Sequence, residues 1–112
     1  MSGKLVKIDC FGKQSITKIE HSGPPTWDEL NKEIGGYIER VRVKYEGKMR
    51  DAYVDEEGLL KDLPYNPIAS KLVSNSYSTK PSGYVAYIVG PLVIWVPEPK
   101  VSKNVQTSPR TE

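Results

Sequence analysis

Polar and apolar positions alternate near the N-terminus, which predicts two β-strands at the start of the chain. The first predicted strand, Lys4–Phe11, places three small or apolar side chains on one face: Val6, Ile8 and Cys10. A weaker second strand is predicted over Gln14–His21. Ile16 and Ile19 are three positions apart, so we expect a β-bulge or a strand end between them.

A change from alternation to helical spacing follows a Ser-Gly-Pro-Pro loop. Thr26 and Glu29 have the spacing of a capping box, in which each side chain accepts a hydrogen bond from the other residue's backbone N–H. Gly35 suits the left-handed conformation that ends a helix. We therefore predict a short helix over residues 26–34, with three apolar side chains on its buried face: Trp27, Leu30 and Ile34.

A second helix is predicted over residues 66–75. Asn66 is a favourable N-cap, and Pro67 suits the first helical position because its missing N–H has no partner there anyway. The apolar stripe of this helix is expected to consist of Ile68, Ala69, Leu72 and Val73.

Between the two helices the pattern predicts a β-hairpin. Tyr37–Tyr45 and Lys48–Asp55 flank the turn signal Glu46-Gly47. This register pairs Arg42 with Asp51 and turns an apolar face to the core: Val41, Val43, Ala52 and Val54, with Arg50 near the turn. The opposite face is expected to be exposed and to carry Arg40, Arg42, Lys44, Met49, Asp51 and Tyr53.

The C-terminal part predicts two more strands and a tail. "YVAYIVG" and "PLVIWV" are apolar on both faces, as in the covered centre of a sheet, and Gly90-Pro91 marks a bend between them. The order β-β-α-β-β-α-β-β predicts an α+β fold, with a mainly antiparallel sheet of about six strands and two short helices. We assign residues 1–96 to a single domain and residues 97–112 to a flexible tail.

Composition narrows the class of protein. The chain has 112 residues, 38% of them hydrophobic and 27% charged, and a net charge of +2, which is typical of one small globular domain without a concentrated basic field. With one cysteine, Cys10, an intrachain disulfide is impossible. No stretch has signal-peptide or membrane-span character, so we expect a cytoplasmic protein without a membrane partner.

The residues reveal no catalytic motif. His21 follows a strand, and no serine occupies a strained nucleophile turn, so His21 is interpreted as a loop residue. Cys10 is interpreted as a small buried residue and Trp95 as a core residue, with ligand stacking as the lesser alternative. We predict that the protein is not an enzyme and that it binds no metal and no cofactor.

The basic stripe of the hairpin has two interpretations. Alternating charges are usual on a solvated strand, where an Arg–Asp pair contributes little. Arginine beside tyrosine is also typical of recognition surfaces. On the second interpretation, the predicted ligand- or partner-binding residues are Tyr37, Arg40, Arg42, Lys44, Tyr53, Tyr65 and Asn66.

Three motifs, "WDELNKEIGGYIERV", "AYVDEEGLLKDLPYNPIAS" and "YIVGPLVIW", resemble in their order and spacing a family of small phage and prophage proteins, domain of unknown function 3846. Pro67 and Pro91 depart from its usual pattern, where a basic and an acidic residue are common. The resemblance covers about Lys4 to Val96. It implies a bacteriophage accessory protein in the bacterial cytoplasm.

We therefore expect a non-catalytic protein that counters host defence or metabolism by binding. Its partner would be a small anionic, nucleotide-like signal that it sequesters or a host protein that it blocks. A nucleic-acid-binding accessory protein is the alternative, and a small hydrolase is a more distant one. An exposed sheet edge also predicts a homo-oligomer, most simply a dimer.

Overall fold

The computed structural model describes residues 2–76 and 86–98. These residues form an α+β fold with an antiparallel sheet and two helices, as predicted, but with five strands instead of six. The elements in chain order are β1 (Gly3–Ile8), β2 (Gln14–Ile19), α1 (Trp27–Ile34), β3 (Ile38–Tyr45), β4 (Lys48–Asp55), α2 (Pro67–Ser76) and β5 (Leu92–Pro97). No helix in the described ranges is long and apolar enough to cross a membrane.

The last strand lies in the middle of the sheet. The strand order is β2-β1-β5-β4-β3, with every neighbouring pair antiparallel. β5 pairs with β1 along its whole length, from Gly3↔Pro97 to Ile8↔Leu92. The N-terminal hairpin and the β3–β4 hairpin are therefore joined through β5.

The two helices cover opposite faces of this sheet. α2 packs on the face that the sequence predicted to be the core, in a cluster that includes Val6, Val43, Ala52, Val73 and Ile94. α1 packs on the other face, in a second cluster that includes Leu5, Leu30, Ile34, Val93 and Trp95, with Tyr53 against it. Arg40, Arg42 and Lys44 are exposed, as expected for the opposite face of the hairpin, but Tyr53 on the same face is partly buried because it packs against the α1 cluster.

The predicted strand that precedes Gly90 does not form in residues 86–90, which make one isolated bridge, Tyr65↔Val89. Serine side chains of α2 take the place of a neighbouring strand. Ser70 Oγ accepts from Ile88 N at 2.8 Å, and Ser74 Oγ accepts from Ala86 N at 2.7 Å. Because these backbone groups are bonded to a helix, they do not extend the sheet. The predicted bend is present at Gly90, whose φ is +76°.

The first hairpin also differs from the prediction. β1 ends at Ile8, and Cys10 lies half-buried in the following turn with its Sγ 3.3 Å from Pro64 O. β2 runs without a bulge in continuous register with β1 and ends at Ile19, two residues before the predicted end at His21. Ile16 and Ile19 lie on opposite faces, with Ile16 exposed and Ile19 buried.

Both predicted helices are present. The capping box of α1 is complete, with Thr26 N bonded to Glu29 Oε1 at 2.8 Å, and Gly35 ends the helix at a φ of +89°. Trp27, however, is 56% exposed, because the buried stripe starts one turn later at Leu30. In α2 the buried residues are Ala69, Ser70 and Val73, while Ile68 is exposed and Leu72 is half-buried.

The β3–β4 hairpin has the predicted register throughout, including Arg42↔Asp51. Glu46 and Gly47 both have positive φ, +53° and +81°, as the tight two-residue turn requires. The C-terminal boundary lies beyond the predicted residue 96: Pro97 belongs to β5, and Glu98 N donates to Ser2 O at 2.9 Å. The rest of the predicted tail, residues 99–112, lies outside the described residues.

Candidate functional site

Four of the predicted binding residues lie together on the α1 face of the β3–β4 hairpin. Cross-strand pairing sets Arg40 opposite Tyr53, Arg42 opposite Asp51, and Lys44 opposite Met49. Because opposite residues of an antiparallel pair share a face, these six side chains form one surface. Arg40, Arg42 and Lys44 are exposed, and we call these three residues the basic stripe.

Asp51 offsets part of the stripe's charge. Its carboxylate lies 3.3 Å from Arg42 Nε and 3.9 Å from Arg40 Nη1, so it forms ion pairs with both guanidinium groups. One carboxylate cannot neutralise two guanidinium groups, so a net positive charge remains beside Asp51. The closer pair, with Arg42, lies at the cleft described below.

Tyr53 connects the stripe with the α1 core. Its ring is partly buried against that cluster. Burial raises the pKa of Tyr53, the charge of Asp51 raises it further, and Arg40 opposes the change. The phenol is therefore neutral at physiological pH and can donate a hydrogen bond.

The other three predicted binding residues lie elsewhere. Tyr37 precedes β3 and is 63% exposed, and its carbonyl accepts from Glu56 N at 2.9 Å. Tyr65 stacks on Tyr87 with ring centroids 4.9 Å apart, beside the start of α2.

Asn66 has a structural role. It is completely buried, and its Nδ2 donates to Ile8 O at 3.0 Å and to Gly90 O at 2.9 Å. Its Oδ1 accepts from Ala69 N at 3.0 Å, which confirms the predicted N-cap of α2. With these three bonds made inside the protein, Asn66 is not available to a ligand at the surface.

Next to the basic stripe, the sheet opens into a cleft. β4 and β5 pair at Ala52↔Ile94 and Tyr53↔Val93, and this ladder does not include β4 residues 48–51 or β5 residues 95–97. A cleft of about 440 Å³ lies where the two strands part, and we call it the β4–β5 cleft. It is lined by Arg42, Lys48, Met49, Arg50, Asp51, Trp95, Pro97 and Glu98.

Arg50 lies between this cleft and a second hollow of about 350 Å³, which Lys4 and Lys18 also line. Its Nε donates to Tyr45 O at 3.0 Å, and this bond fixes the guanidinium group at the opening between the strands. Burial raises the pKa of Tyr45, as does Glu46, while Arg50 lowers it. The cleft lining thus combines three cations and two carboxylates with the apolar surfaces of Trp95 and Met49.

Sequence reasoning included Arg42 in the site but missed the rest of the cleft. The partial signal was Arg50, a cation that shares the mainly apolar face of the hairpin with Val43 and lies two residues after Lys48. The position of Trp95 beside β4 depends on the pairing of strands that are distant in sequence. The residue pattern of a single strand does not show which strands pair. Trp95 belongs to the α1 core, as predicted, and also lines the cleft.

Another candidate for chemistry, His21, is engaged in local structure. His21 Nε2 lies 2.8 Å from Glu29 Oε1, and its Nδ1 lies 3.0 Å from Ser22 O. The hydrogen bond to Glu29 raises the pKa of His21 and lowers the pKa of Glu29. Within the described part of the chain, no cluster of histidine, cysteine and carboxylate side chains has the arrangement of a metal site.

Comparison with known proteins identifies the family. No curated protein and no solved structure matches the chain. A family model described as "Domain of unknown function (DUF3846)" matches residues 4–108, which include both helices, the strands β2 to β5, all of β1 except Gly3, and the β4–β5 cleft. The chain therefore belongs to this domain family of unknown function.

Proposed function

We propose that the domain is a non-catalytic binding protein that holds a small anionic, nucleotide-like ligand in the β4–β5 cleft. The observation that carries the proposal is the meeting of Arg42, Lys48 and Arg50 with the Trp95 ring in one concave surface. Guanidinium groups match the geometry of phosphate oxygens, and Met49 together with the edge of the Trp95 ring, which is 9% exposed, offers apolar contact for a base. The volume of about 440 Å³ is within the range of small-molecule sites.

The arrangement of the carboxylates favours binding over catalysis. Asp51 is held between Arg40 and Arg42, and Glu98 Oε1 accepts from Ser2 Oγ at 2.7 Å. A general base requires a carboxylate or an imidazole that is available to the substrate's proton. The cleft residues act instead as positioned charges, which suits retention of an anion.

The biological part of the proposal rests on the resemblance to phage proteins. A phage accessory protein of this kind would act in the cytoplasm of the infected bacterium. By sequestering a nucleotide-like signal, it would prevent a host defence or metabolic response. If the domain blocks a host protein instead, the same basic stripe offers the arginine-rich surface that protein interfaces favour.

A calorimetric titration with a nucleotide panel tests the proposal. The panel contains nucleoside mono-, di- and triphosphates, cyclic mono- and dinucleotides, and inorganic phosphate. We expect saturable binding of at least one nucleotide, much tighter than that of phosphate. The double variant Arg42→Ala/Lys48→Ala should abolish it, while Lys13→Ala/Lys32→Ala, which removes two exposed cations outside the cleft lining, should not.

Nucleic acid is the competing ligand class. If the panel gives no binding, and single-stranded DNA or RNA binds with a steep dependence on salt, the nucleic-acid alternative replaces the proposal. If neither nucleotides nor nucleic acids bind at low salt, the cleft is not an anion site. The partial neutralisation of the stripe by Asp51 argues against extended phosphate contact and favours the small ligand.

A further inference from the structure

β2 is an edge strand that lacks the usual features preventing further strand pairing. It is the outermost strand at its end, and no strand of the described residues lies beyond it. Its burial pattern is exposed at every position except Ile19. Edge strands are normally protected from pairing by proline, bulges or several charges. β2 contains no proline, keeps a continuous register with β1, and has one charged residue, Lys18.

The other edge of the sheet is protected. α2 packs on β3 at that end, and Ser76 Oγ accepts from Lys44 N at 2.7 Å, which satisfies a backbone donor of the edge strand. β3 also carries the charged side chains of Arg40, Arg42 and Lys44. The two edges thus differ, and β2 is the one open to a further strand.

The side-chain sequence of β2 has approximate mirror symmetry. Around Ile16 the strand reads Gln-Ser-Ile-Thr-Lys, so a hydroxyl residue and then a long polar residue follow the isoleucine in both directions. Ile16 is 59% exposed and lies in register with Val6, which is buried in the α2 cluster. Because Ile16 is an exposed isoleucine at the centre of an open edge, contact with an apolar side chain of a partner is most favourable there.

We infer that a second copy of the chain pairs with this edge in an antiparallel β2–β2′ ladder, with a two-fold axis at Ile16. In an antiparallel two-fold pair the numbers of opposite residues have a constant sum, so Ile16 faces Ile16′, Ser15 faces Thr17′, and Gln14 faces Lys18′. Each pairing is chemically favourable, and no like charges meet. Thr17 Oγ1 is bonded to Glu33 at 3.3 Å, and its oxygen can still accept from Ser15′.

Neighbouring registers are less favourable. A two-fold axis at Thr17 places Ile16 opposite Lys18′, and an axis at Lys18 brings two ammonium groups together. An axis at Ser15 places Ile16 opposite Gln14′. Only the axis at Ile16 buries the two isoleucines against each other, so side-chain chemistry selects this register. The two copies then share one continuous sheet of ten strands.

The dimer and the cleft are separate sites. β2 is the first strand in the sheet order, whereas the cleft lies between the third and fourth. A single strand pair buries less surface than a standard stable interface, so we expect self-association in the micromolar range. Failure of ligand binding and failure of dimerisation are therefore distinguishable in experiments.

Site-directed cross-linking tests the register. In a Cys10→Ser background, Ile16→Cys should form a disulfide-linked dimer under mild oxidation, because opposite Cα atoms lie about 4.5–5.5 Å apart, within disulfide reach. Gln14→Cys alone should remain monomeric on non-reducing gels, because residue 14 of one copy lies four residues along the ladder from residue 14 of the other. Combining Gln14→Cys with Lys18→Cys should restore the cross-link.

Sedimentation equilibrium tests the association itself. The unmodified chain should dimerise, and Ile16→Lys should be monomeric with an unchanged circular dichroism spectrum, because Ile16 is exposed within one copy. Ile68→Lys, at another exposed isoleucine on α2, should leave the dimer intact. The inference is overturned if the unmodified chain is monomeric at high micromolar concentration. It is also overturned if Gln14→Cys cross-links as readily as Ile16→Cys, or if Ile16→Lys still dimerises.

Discussion

Arg42 and Asp51 face each other across the β3–β4 ladder, with Arg42 Nε 3.3 Å from Asp51 Oδ1. Asp51 also lies 3.9 Å from Arg40, so one carboxylate faces two guanidinium groups and a positive charge is left uncompensated beside the β4–β5 cleft.

Replacing both arginines, by Arg40→Ala/Arg42→Ala, should separate binding from stability. Both side chains are more than half exposed and leave the sheet on the face opposite Val43, so their removal opens no core cavity. The free energy of unfolding should change by about 0.5 kcal/mol, as for surface substitutions. Nucleotide affinity should fall by roughly 30-fold or more, about 2 kcal/mol, if either guanidinium group binds phosphate.

Calorimetry and thermal unfolding of the same preparation measure the two effects. Unchanged affinity with unchanged stability would make the stripe a solvated face. Loss of both would mean that the stripe supports the fold.

Asn66→Ala should destabilise the protein strongly. The substitution removes the N-cap of α2 and leaves two buried carbonyls, Ile8 O and Gly90 O, without this donor. The expected loss in the free energy of unfolding is about 2–4 kcal/mol, from one cap and the buried acceptors. Urea denaturation measures it, with Asn75→Ala on the exposed side of α2 as the control. Equal midpoints for the two variants would contradict the assigned role of Asn66.

Ser70→Ala should loosen the segment that the sequence predicted to be a strand. Ser70 Oγ accepts from Ile88 N and lies 3.3 Å from Ile88 O, so its removal leaves a half-buried amide without a partner. Amide hydrogen exchange at Ile88 should accelerate by at least tenfold, while exchange at Ile94 in the centre of β5 should change much less. An unchanged exchange rate at Ile88 would mean that contacts other than the one with Ser70 protect its amide.

The pair formed by His21 and Glu29 should give α1 a pH-dependent stability. The raised pKa of His21 means that its contribution is present below the ordinary value of 6.5 and is lost as the pH rises through the folded pKa. The lowered pKa of Glu29 means that its contribution is present above the ordinary value of 4.5 and is lost as the pH falls through the folded pKa.

An NMR titration of the imidazole should place the pKa of His21 above 6.5, and Glu29→Gln should return it towards that value. Glu33→Gln is the matched control, because Glu33 contacts Lys7 and Thr17 and not His21. A pKa of His21 that Glu29→Gln leaves unchanged would mean that the hydrogen bond does not persist in solution.

Local patterns were sufficient to predict much of the fold. The hairpin register followed from one turn, because Glu46-Gly47 fixes the pairing of every residue in the two adjoining strands. The capping box of α1 and the Asn66 cap were visible as short-range spacings. These features depend on residues that are close together in the chain.

Features that depend on distant contacts could not be predicted. Apolar spacing shows which face of α1 is buried but not which side of the sheet it covers, so the shelter of Tyr53 was missed. The apolar run before Gly90 resembled a strand, but Ser70 and Ser74 satisfy its backbone. The cleft arises where β4 and β5 part, and neither strand alone contains that information.

The central position of β5 has a consequence for synthesis on the ribosome. Among the described residues, β1 and β4 have no pairing with each other and meet through β5, which is the last of the seven described elements to be translated. A nascent chain that stops before Leu92 contains two hairpins whose inner edges lack a partner. The sheet can close only after residues 92–97 have left the exit tunnel, so the whole sheet is the cooperative unit of folding.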